Sequence, residues 1–332
     1  MNDPILRLFP LGFPWQTQDP FLFCVYHLDH YPKGNENMGP AASLSDRTLG
    51  NDFLQKDGWR MYHGHTVPGF PSHPHCGFET ITIVNQGYCD HSDSLGAAGR
   101  FGLGDVQWMT AGRGVQHAEM FPLLNTEREN TLELFQIWLN LPGSEKFAEP
   151  CFKMIWQEDI PVVDEGGVQI KVVSGKYREQ QGPEPAPDSW AADASHDVAI
   201  WDIRMEPGAE FTLPAAAHTT NRSLYYYTGG GVALGERSLQ EGFGMDLDPG
   251  REILLKNEDA RSCLLLLQGK PIGEPVAKYG PFVMNTDEEI REAMMEYRKT
   301  EFGGWPWPRT DQVHPRESGR FALYPDGRRV EK

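Results

Sequence analysis

The sequence predicts an all-β protein made of two antiparallel β-barrels with one short helix near the carboxy terminus. The 332 residues include 35 glycines and 26 prolines, which favours many short strands joined by turns over long helices. Short apolar runs that alternate with polar residues end at glycine or proline, as strands in antiparallel hairpins do. The same order of strands and glycines also occurs twice along the chain.

Chain length predicts the number of domains. A chain of 332 residues is too long for one ordinary hydrophobic core. We expect a first barrel over residues 1–145, a second barrel over 146–284, and a helix with an extended tail over 285–332. The boundary falls within residues 143–197, where the run from Gly182 to Asp188, GPEPAPD, is the clearest loop in the chain.

In the first half, glycine turns separate the predicted strands. Residues 80–84 lead into a turn at Gln86-Gly87, and residues 106–110 follow Gly104-Asp105. The segment 111–114 turns the chain again, and residues 134–142 alternate between apolar and polar side chains. These patterns are typical of antiparallel hairpins and not of strand–helix–strand units.

The second half repeats this order. Residues 201–206 alternate strictly, residues 224–227 lead into Gly229, and residues 245–247 lead into Pro249-Gly250. We interpret the repeat as a degenerate internal duplication.

One helix is predicted, over residues 287–300. Thr286 and Glu289 form a capping box, and three acidic residues at the start complement the helix dipole. Gly303-Gly304 is expected to end the helix, and the tail from Trp305 is expected to lie extended over the surface. The apolar face is expected to comprise Ile290, Ala293, Met294 and Tyr297.

Charge and cysteine usage exclude several classes of protein. The net charge of −17 disfavours direct binding to nucleic acid or to an anionic membrane. Five cysteines without a paired pattern fit a reducing compartment, and the first ten residues lack the cationic start and apolar core of a secretory leader. We therefore expect a cytoplasmic protein without membrane contact, and we expect a monomer.

Two pairs of potential metal ligands have the same spacing. His73 and His75 are two positions apart, as are His117 and Glu119. Side chains at i and i+2 of a strand point to the same face, so both members of each pair can reach one ion. Three imidazoles and one carboxylate suit a first-row transition metal and leave coordination positions open. The sequence thus predicts a mononuclear metal centre in the first barrel.

Other histidines are weaker candidates. His63 and His65 are also two positions apart, but one such chance pair in about three sequences of this composition is expected. In the second half, counting from the matching glycines places Leu255 and Asn257 where the first half has His117 and Glu119, and only His218 remains near the other pair. We expect the second barrel to be metal-free.

Several longer motifs resemble those of the pirin family of bicupins. The resemblance covers most of the chain and is weakest over residues 143–200 and after Gly304. The motifs are HPHCGFET at 73–80, DSLG at 93–96, GDVQWMTAGRG at 104–114, QIWLNLP at 136–142 and GPFVMNT at 280–286.

The pirin resemblance implies two cupin barrels of the jelly-roll type, with a metal only in the first. It implies His73, His75, His117 and Glu119 as ligands of one divalent ion, with Fe²⁺ expected and Mn, Ni, Cu, Zn and Co left open. Glu79 is the rival oxygen ligand, because many cupins use a glutamate there. Cys76 departs from the arginine common in pirins; either it alters oxidation sensitivity or substrate preference, or it is an inert small residue.

The resemblance also implies two alternative functions. Some pirins have quercetin 2,3-dioxygenase activity, which predicts a small aromatic substrate and dioxygen as partners. Others are metal-sensing partners of transcriptional regulators or metabolic enzymes, which predicts a protein partner instead. For the enzyme, Glu119 is both a ligand and the candidate catalytic base. Phe78, Trp108 and Phe101 either line an aromatic pocket or belong to the core.

Overall fold

A computed structural model describes residues 3–235 and 237–332; Met1, Asn2 and Glu236 lie outside the described residues. Strands dominate, and the described ranges contain one α-helix. The strands of the first half are β1 (Ile5–Pro10), β2 (Phe21–Tyr31), β3 (Gly69–His75), β4 (Phe78–Gln86), β5 (Tyr88–Asp93), β6 (Ala98–Gly102), β7 (Val106–Thr110), β8 (Val115–Met120), β9 (Asn130–Asn140) and β10 (Cys151–Ile155).

The second half continues the same pattern of short strands. Its elements are β11 (Val162–Glu165), β12 (Val168–Ser174), β13 (Lys176–Tyr177), β14 (Gln180–Gln181), β15 (Ala199–Met205), β16 (Glu210–Leu213), β17 (Asn221–Thr228), β18 (Val232–Leu234), β19 (Arg237–Leu239), β20 (Phe243–Leu247), β21 (Ile253–Asn257), β22 (Ser262–Gly269), β23 (Ala277–Tyr279), β24 (Phe282–Met284), α1 (Asp287–Thr300), β25 (Phe321–Leu323) and β26 (Arg329–Glu331). No helix in the described part of the chain has the length and apolarity needed to cross a membrane.

The chain divides into two compact units whose segments interleave along the sequence. The first unit comprises Tyr26–Gln136, Gly143–Gln157 and Glu274–Lys332, and the second comprises the segment up to Val25, Ile137–Pro142 and Glu158–Gly273. The division predicted from the sequence has consecutive blocks instead, at 1–145, 146–284 and 285–332. The physical reason for the difference at the amino terminus is strand pairing, because β1 pairs antiparallel with β20 of the second unit.

In the first unit, strands form two sheets with the orders β10-β7-β4-β9-β2 and β26-β25-β6-β5-β8-β3. Hydrogen bonds join the two sheets through the barrel interior: Thr82 of β4 reaches Glu119 of β8, and Gln107 of β7 reaches His91 of β5. The faces of the two sheets that carry these side chains therefore enclose one interior. The predicted metal ligands lie on these faces.

The second unit carries a seven-stranded sheet, β1-β20-β17-β22-β15-β12-β11, and a four-stranded sheet, β16-β21-β18-β19. Its core is apolar, and Leu255 lies in it with no exposed surface. Asn257 is also buried, and its side-chain amide donates to the carbonyl oxygens of Met205, Glu206 and Ala260. Both residues that replace metal ligands in the second repeat therefore have structural roles.

Helix α1 has the predicted bounds and the predicted cap. Glu289 N donates to Thr286 Oγ1 (3.2 Å), and Thr286 N donates to Glu289 Oε2 (2.9 Å). Ile290 and Ala293 are buried, and Met294 and Tyr297 pack against the same cluster. The residue that ends the helix is Glu301 and not the predicted Gly303-Gly304 pair: Glu301 takes the left-handed conformation, with φ of 49°, and its carbonyl oxygen accepts from Gln116 Nε2 (2.6 Å).

The tail is more ordered than the sequence predicts. Residues 321–323 form β25, which pairs with β6 and thereby extends the sheet that carries β8. Arg100, fully buried, donates to the carbonyl oxygens of His314, Pro315 and Arg316 and to both carboxylate oxygens of Asp90. These long-range bonds supply the order, and local sequence patterns do not reveal them.

Candidate metal centre

The pairing of β3 with β8 brings three histidines together. His73 lies directly opposite His117 in the antiparallel register, and His75 follows two positions along β3 on the same face. The centres of the three imidazole rings are 4.6 Å (His73–His117), 4.7 Å (His75–His117) and 4.8 Å (His73–His75) apart. One ligand nitrogen from each ring lies within 4.8 Å of the others, which is close enough for a single ion.

A glycine makes this arrangement possible. Gly77 stands between β3 and β4 with φ of +86°, and a Cβ atom added there would lie 1.9 Å from the carbonyl oxygen of Val283. A side chain is thus excluded both by the backbone conformation and by the neighbouring backbone. The bend at Gly77 carries the chain from β3 in one sheet to β4 in the other, where Phe78 lies against His75.

Burial keeps the three imidazoles neutral. His75 and His117 are buried, and His73 is partly exposed. Burial lowers the pKa of His73 to about 4, and burial with the neighbouring histidines also lowers the pKa of His75 and His117. A neutral imidazole has a lone pair to offer, whereas a protonated one has none.

Hydrogen bonds identify which nitrogens are open to a metal. The Nδ1–H of His73 donates to the carbonyl oxygen of Pro71 (2.8 Å), which leaves Nε2 as the lone-pair nitrogen. Neither ring nitrogen of His117 has a hydrogen-bond partner among the described residues, although its side chain is fully buried. Buried polar atoms are rarely left without a partner. The residues present therefore fit a metal ion.

Glu119 lies beside this cluster, on the same face of β8 as His117. Its Oε2 atom is 3.8 Å from His117 Nε2. Thr82 donates to its Oε1 atom (2.9 Å), and the amide of Gln136 donates to its Oε2 atom. Burial raises the pKa of this carboxyl group, while the two hydrogen bonds and the nearby His91 act to lower it. The structure thus brings three of the four predicted ligands together and holds the fourth within reach.

The rival oxygen ligand, Glu79, faces elsewhere. It alternates along β4 with Phe78, whose ring centre is 5.1 Å from that of His75, so it points to the opposite side of the strand. Its carboxylate accepts a hydrogen bond from Thr110 Oγ1 (2.7 Å). The geometry favours Glu119 over Glu79. His63 and His65 are exposed, and Nδ1 of His63 bonds to the carbonyl oxygen of Gly50 (2.7 Å).

Cys76 follows His75 but packs on the other side of β3. The side chain is 1% exposed, lies in an apolar cluster with Phe282 and Ile290, and donates weakly to the carbonyl oxygen of Gly112 (Sγ–O 3.4 Å). Burial raises the pKa of the thiol to about 12. These contacts support the interpretation of Cys76 as an inert packing residue.

Of the three aromatic candidates, only Phe78 contacts a histidine of the cluster. Phe101 lies in the hydrophobic core of the first unit. Trp108 alternates with Gln107, which points into the barrel, and therefore faces away from the interior.

His91 is a further histidine near the cluster that the sequence did not single out. It is fully buried, its ring centre is 5.5 Å from that of His117, and it stacks on Phe152 (5.0 Å between ring centres). Nε2 contacts Asp93 Oδ2 (3.0 Å), and Nδ1 contacts the amide of Gln107 (3.1 Å). The pair His91 and Asp93 has the same i, i+2 spacing as the ligands, and this spacing could have drawn attention to it.

Comparisons with known proteins identify the family. The Pirin family profile matches residues 16–139, and the profile of the pirin C-terminal cupin domain matches residues 200–303. The chain belongs to the pirin family. The resemblance predicted from the motifs is confirmed, and so is the fold of two cupin domains.

Three relatives illustrate the range of this similarity. Human pirin is 35% identical over 248 residues, which cover 73% of this chain and 80% of that protein. A Pseudomonas aeruginosa protein provisionally named quercetin 2,3-dioxygenase is 38% identical over 239 residues, covering 70% of this chain and 79% of that one. The crystal structure of a quercetin 2,3-dioxygenase from Acinetobacter baumannii matches with a TM-score of 0.69 at 27% identity, covering 90% of this chain and 98% of the other.

Proposed function

We propose that this pirin is a metal-dependent dioxygenase that acts on quercetin or on a similar enolic aromatic compound. The observation that carries the proposal is the cluster of three neutral histidines beside the buried carboxyl group of Glu119. The relatives named as quercetin 2,3-dioxygenases support the choice of reaction and substrate class.

In this proposal His73, His75, His117 and Glu119 hold one divalent ion in the first cupin domain, and we favour Fe²⁺. When bound, such an ion supplies Lewis acidity and one-electron chemistry toward dioxygen. The cupin domain places the four ligands and buries His75, His117 and Glu119 away from bulk water. Since His73 is the partly exposed member of the cluster, the substrate approaches from its side.

Glu119 accepts the proton of the substrate's enol or phenol hydroxyl group. Burial strengthens it as a base because it raises the pKa of the carboxyl group toward that of the group it must deprotonate. Thr82 and Gln136, one on each oxygen, keep the carboxylate in place while the proton moves. The substrate anion would then lie next to the histidine cluster.

The test is oxygen-dependent turnover of quercetin by the iron(II)-loaded protein. The flavonol absorbance and dissolved oxygen are followed together, in air and under argon, for the wild type and for Glu119→Gln. We expect the wild type to consume both in air, and the variant to bind quercetin with little turnover, because glutamine offers an oxygen atom but is a poor base. His63→Ala is the control, since His63 is exposed and lies outside the cluster.

If the iron-loaded wild type leaves quercetin intact in air, the flavonol hypothesis is wrong. The metal-sensing regulatory role that the family resemblance also implies would then be the function to pursue.

A further inference from the structure

Besides the ring nitrogens of the histidine cluster, two polar atoms that face the interior of the first cupin domain are buried without a hydrogen-bond partner among the described residues. They are Thr80 Oγ1 and Gln107 Oε1, and both side chains have no exposed surface. An unpaired buried polar group lowers the stability of a protein, so its presence requires an explanation. A ligand that pairs with these atoms is one such explanation.

Thr80 faces the candidate metal centre. It lies on β4 between Phe78 and Thr82, and alternate residues of a strand share one face. The Phe78 ring centre is 5.1 Å from that of His75, and the Thr82 hydroxyl group is 2.9 Å from Glu119 Oε1. The side chain of Thr80 is thus bracketed by one residue at the histidine cluster and one at the carboxylate.

Gln107 faces the same interior. It lies opposite Thr82 in the pairing of β4 with β7, so it is a diagonal neighbour of Thr80 on the same face. Its orientation is fixed by His91. In the neutral imidazole with its proton on Nε2, the Nε2–H of His91 donates to Asp93 (3.0 Å) and Nδ1 accepts from the Gln107 amide group (3.1 Å). The carbonyl oxygen of Gln107 is left as an acceptor.

We propose that Thr80 and Gln107 form a polar subsite that recognises a hydroxyl group of the ligand. The hydroxyl group of Thr80 donates to the ligand oxygen, and the carbonyl oxygen of Gln107 accepts the ligand hydrogen. A hydroxyl group is both donor and acceptor and satisfies both residues, whereas an ether or carbonyl oxygen only accepts and leaves Gln107 unpaired. The subsite therefore selects enols and phenols over their methyl ethers. This inference rests on the proposed function and specifies its substrate class.

The experiment replaces Thr80 with valine, which has the same shape without the hydroxyl group, and with serine, which retains it. Two quantities are measured: the thermal unfolding midpoint of the metal-free protein, and the Kd for quercetin under argon in metal-loaded protein of equal metal content. We expect Thr80→Val to have an unchanged or higher midpoint and about tenfold weaker quercetin binding. Thr80→Ser should bind quercetin nearly as the wild type does.

Thr82→Val provides the matched contrast, because the Thr82 hydroxyl group has a partner in Glu119. Its midpoint should fall, whereas that of Thr80→Val should not. A lower midpoint for Thr80→Val would overturn the subsite, since the hydroxyl group would then stabilise the protein itself. An unchanged Kd would overturn it as well.

The outcomes separate this inference from the proposed function. Wild-type protein that binds quercetin but does not consume it in air contradicts the dioxygenase proposal alone, and the Kd comparison still decides the subsite. Wild-type protein that does not bind quercetin overturns both proposals.

Discussion

His73 lies directly opposite His117 where β3 pairs with β8, and the centres of their imidazole rings are 4.6 Å apart. Two strands that are far apart in the sequence thus form the histidine cluster: β3 contributes His73 and His75, and β8 contributes His117. The register of a single strand pair determines whether the ligands meet, because a slip by one residue would turn one set to the other face of the sheet.

Replacing His117 should abolish tight metal binding. We expect His117→Ala to lower metal affinity by at least about 100-fold, because only two imidazoles of the cluster remain. The measurement is a competition titration against a chelator of known affinity, with His63→Ala as the control. Equal affinity in wild type and His117→Ala would show that the ion binds elsewhere.

The hydrogen bond from Gln136 to Glu119 should orient the carboxylate for metal binding and thereby raise metal affinity. We expect Gln136→Leu to weaken metal binding by about 10- to 100-fold, the usual effect of removing a residue that orients a ligand. Gln86→Leu is a matched control, since Gln86 also pairs with a glutamate, Glu133 (2.9 Å), but is itself exposed. If the two variants weaken metal binding equally, Gln136 has no special role in orienting Glu119.

Gly77 should tolerate no side chain. Gly77 and Gly96 have nearly the same φ, +86° and +85°, but a Cβ atom at Gly96 would have no neighbour within 4 Å. Gly96→Ala should therefore destabilise the protein by about 1 kcal/mol through its backbone conformation alone. Gly77→Ala should cost more and should also weaken metal binding, because β3 or β4 must move. Urea unfolding measures the free energy of unfolding of both variants. Equal losses of stability in Gly77→Ala and Gly96→Ala would refute the steric argument.

Asp29 should make stability depend on pH. Its carboxyl group is buried and accepts hydrogen bonds from Tyr62 and Arg60. Burial raises its pKa from 3.8 to about 6, although both partners act to lower it. The folded state therefore binds more protons than the unfolded state between these values, and the stabilisation, present below pH 3.8, is lost as pH rises through about 6.

The test compares urea unfolding of metal-free wild type and Asp29→Asn across this range. The contribution of Asp29 to the free energy of unfolding of the wild type should change by about 2–3 kcal/mol over this pH range. This change should be absent in Asp29→Asn. Asp46→Asn is the control, since the side chain of Asp46 is 80% exposed. An identical pH profile for wild type and Asp29→Asn would contradict the prediction.

Much of this architecture was accessible from the sequence because it depends on local patterns. The i, i+2 spacing of the histidines predicted their common face, and the capping box predicted the start of α1. The family motifs then pointed to Glu119 over Glu79, and the alternation along β4 agrees with that choice.

The remainder depends on contacts between distant strands. Nothing local indicates that Gln136 reaches Glu119, that Gln107 contacts His91, or that the tail pairs with β6. Likewise, the amino-terminal strand belongs to the second unit because β1 pairs with β20, more than half the chain away. Such pairings depend on how well distant strands bury apolar surface against each other. Patterns within a short stretch of sequence do not contain this information.

The central claim is that one ion binds between His73, His75 and His117 with Glu119 as the fourth ligand. The most direct measurement is anomalous diffraction from crystals of the iron-loaded protein, with data collected on both sides of the iron absorption edge. The account predicts one strong iron peak within bonding distance of the three imidazoles and of the Glu119 carboxylate. A peak at another site, a site completed by Glu79, or no peak in protein that carries one equivalent of iron would contradict it.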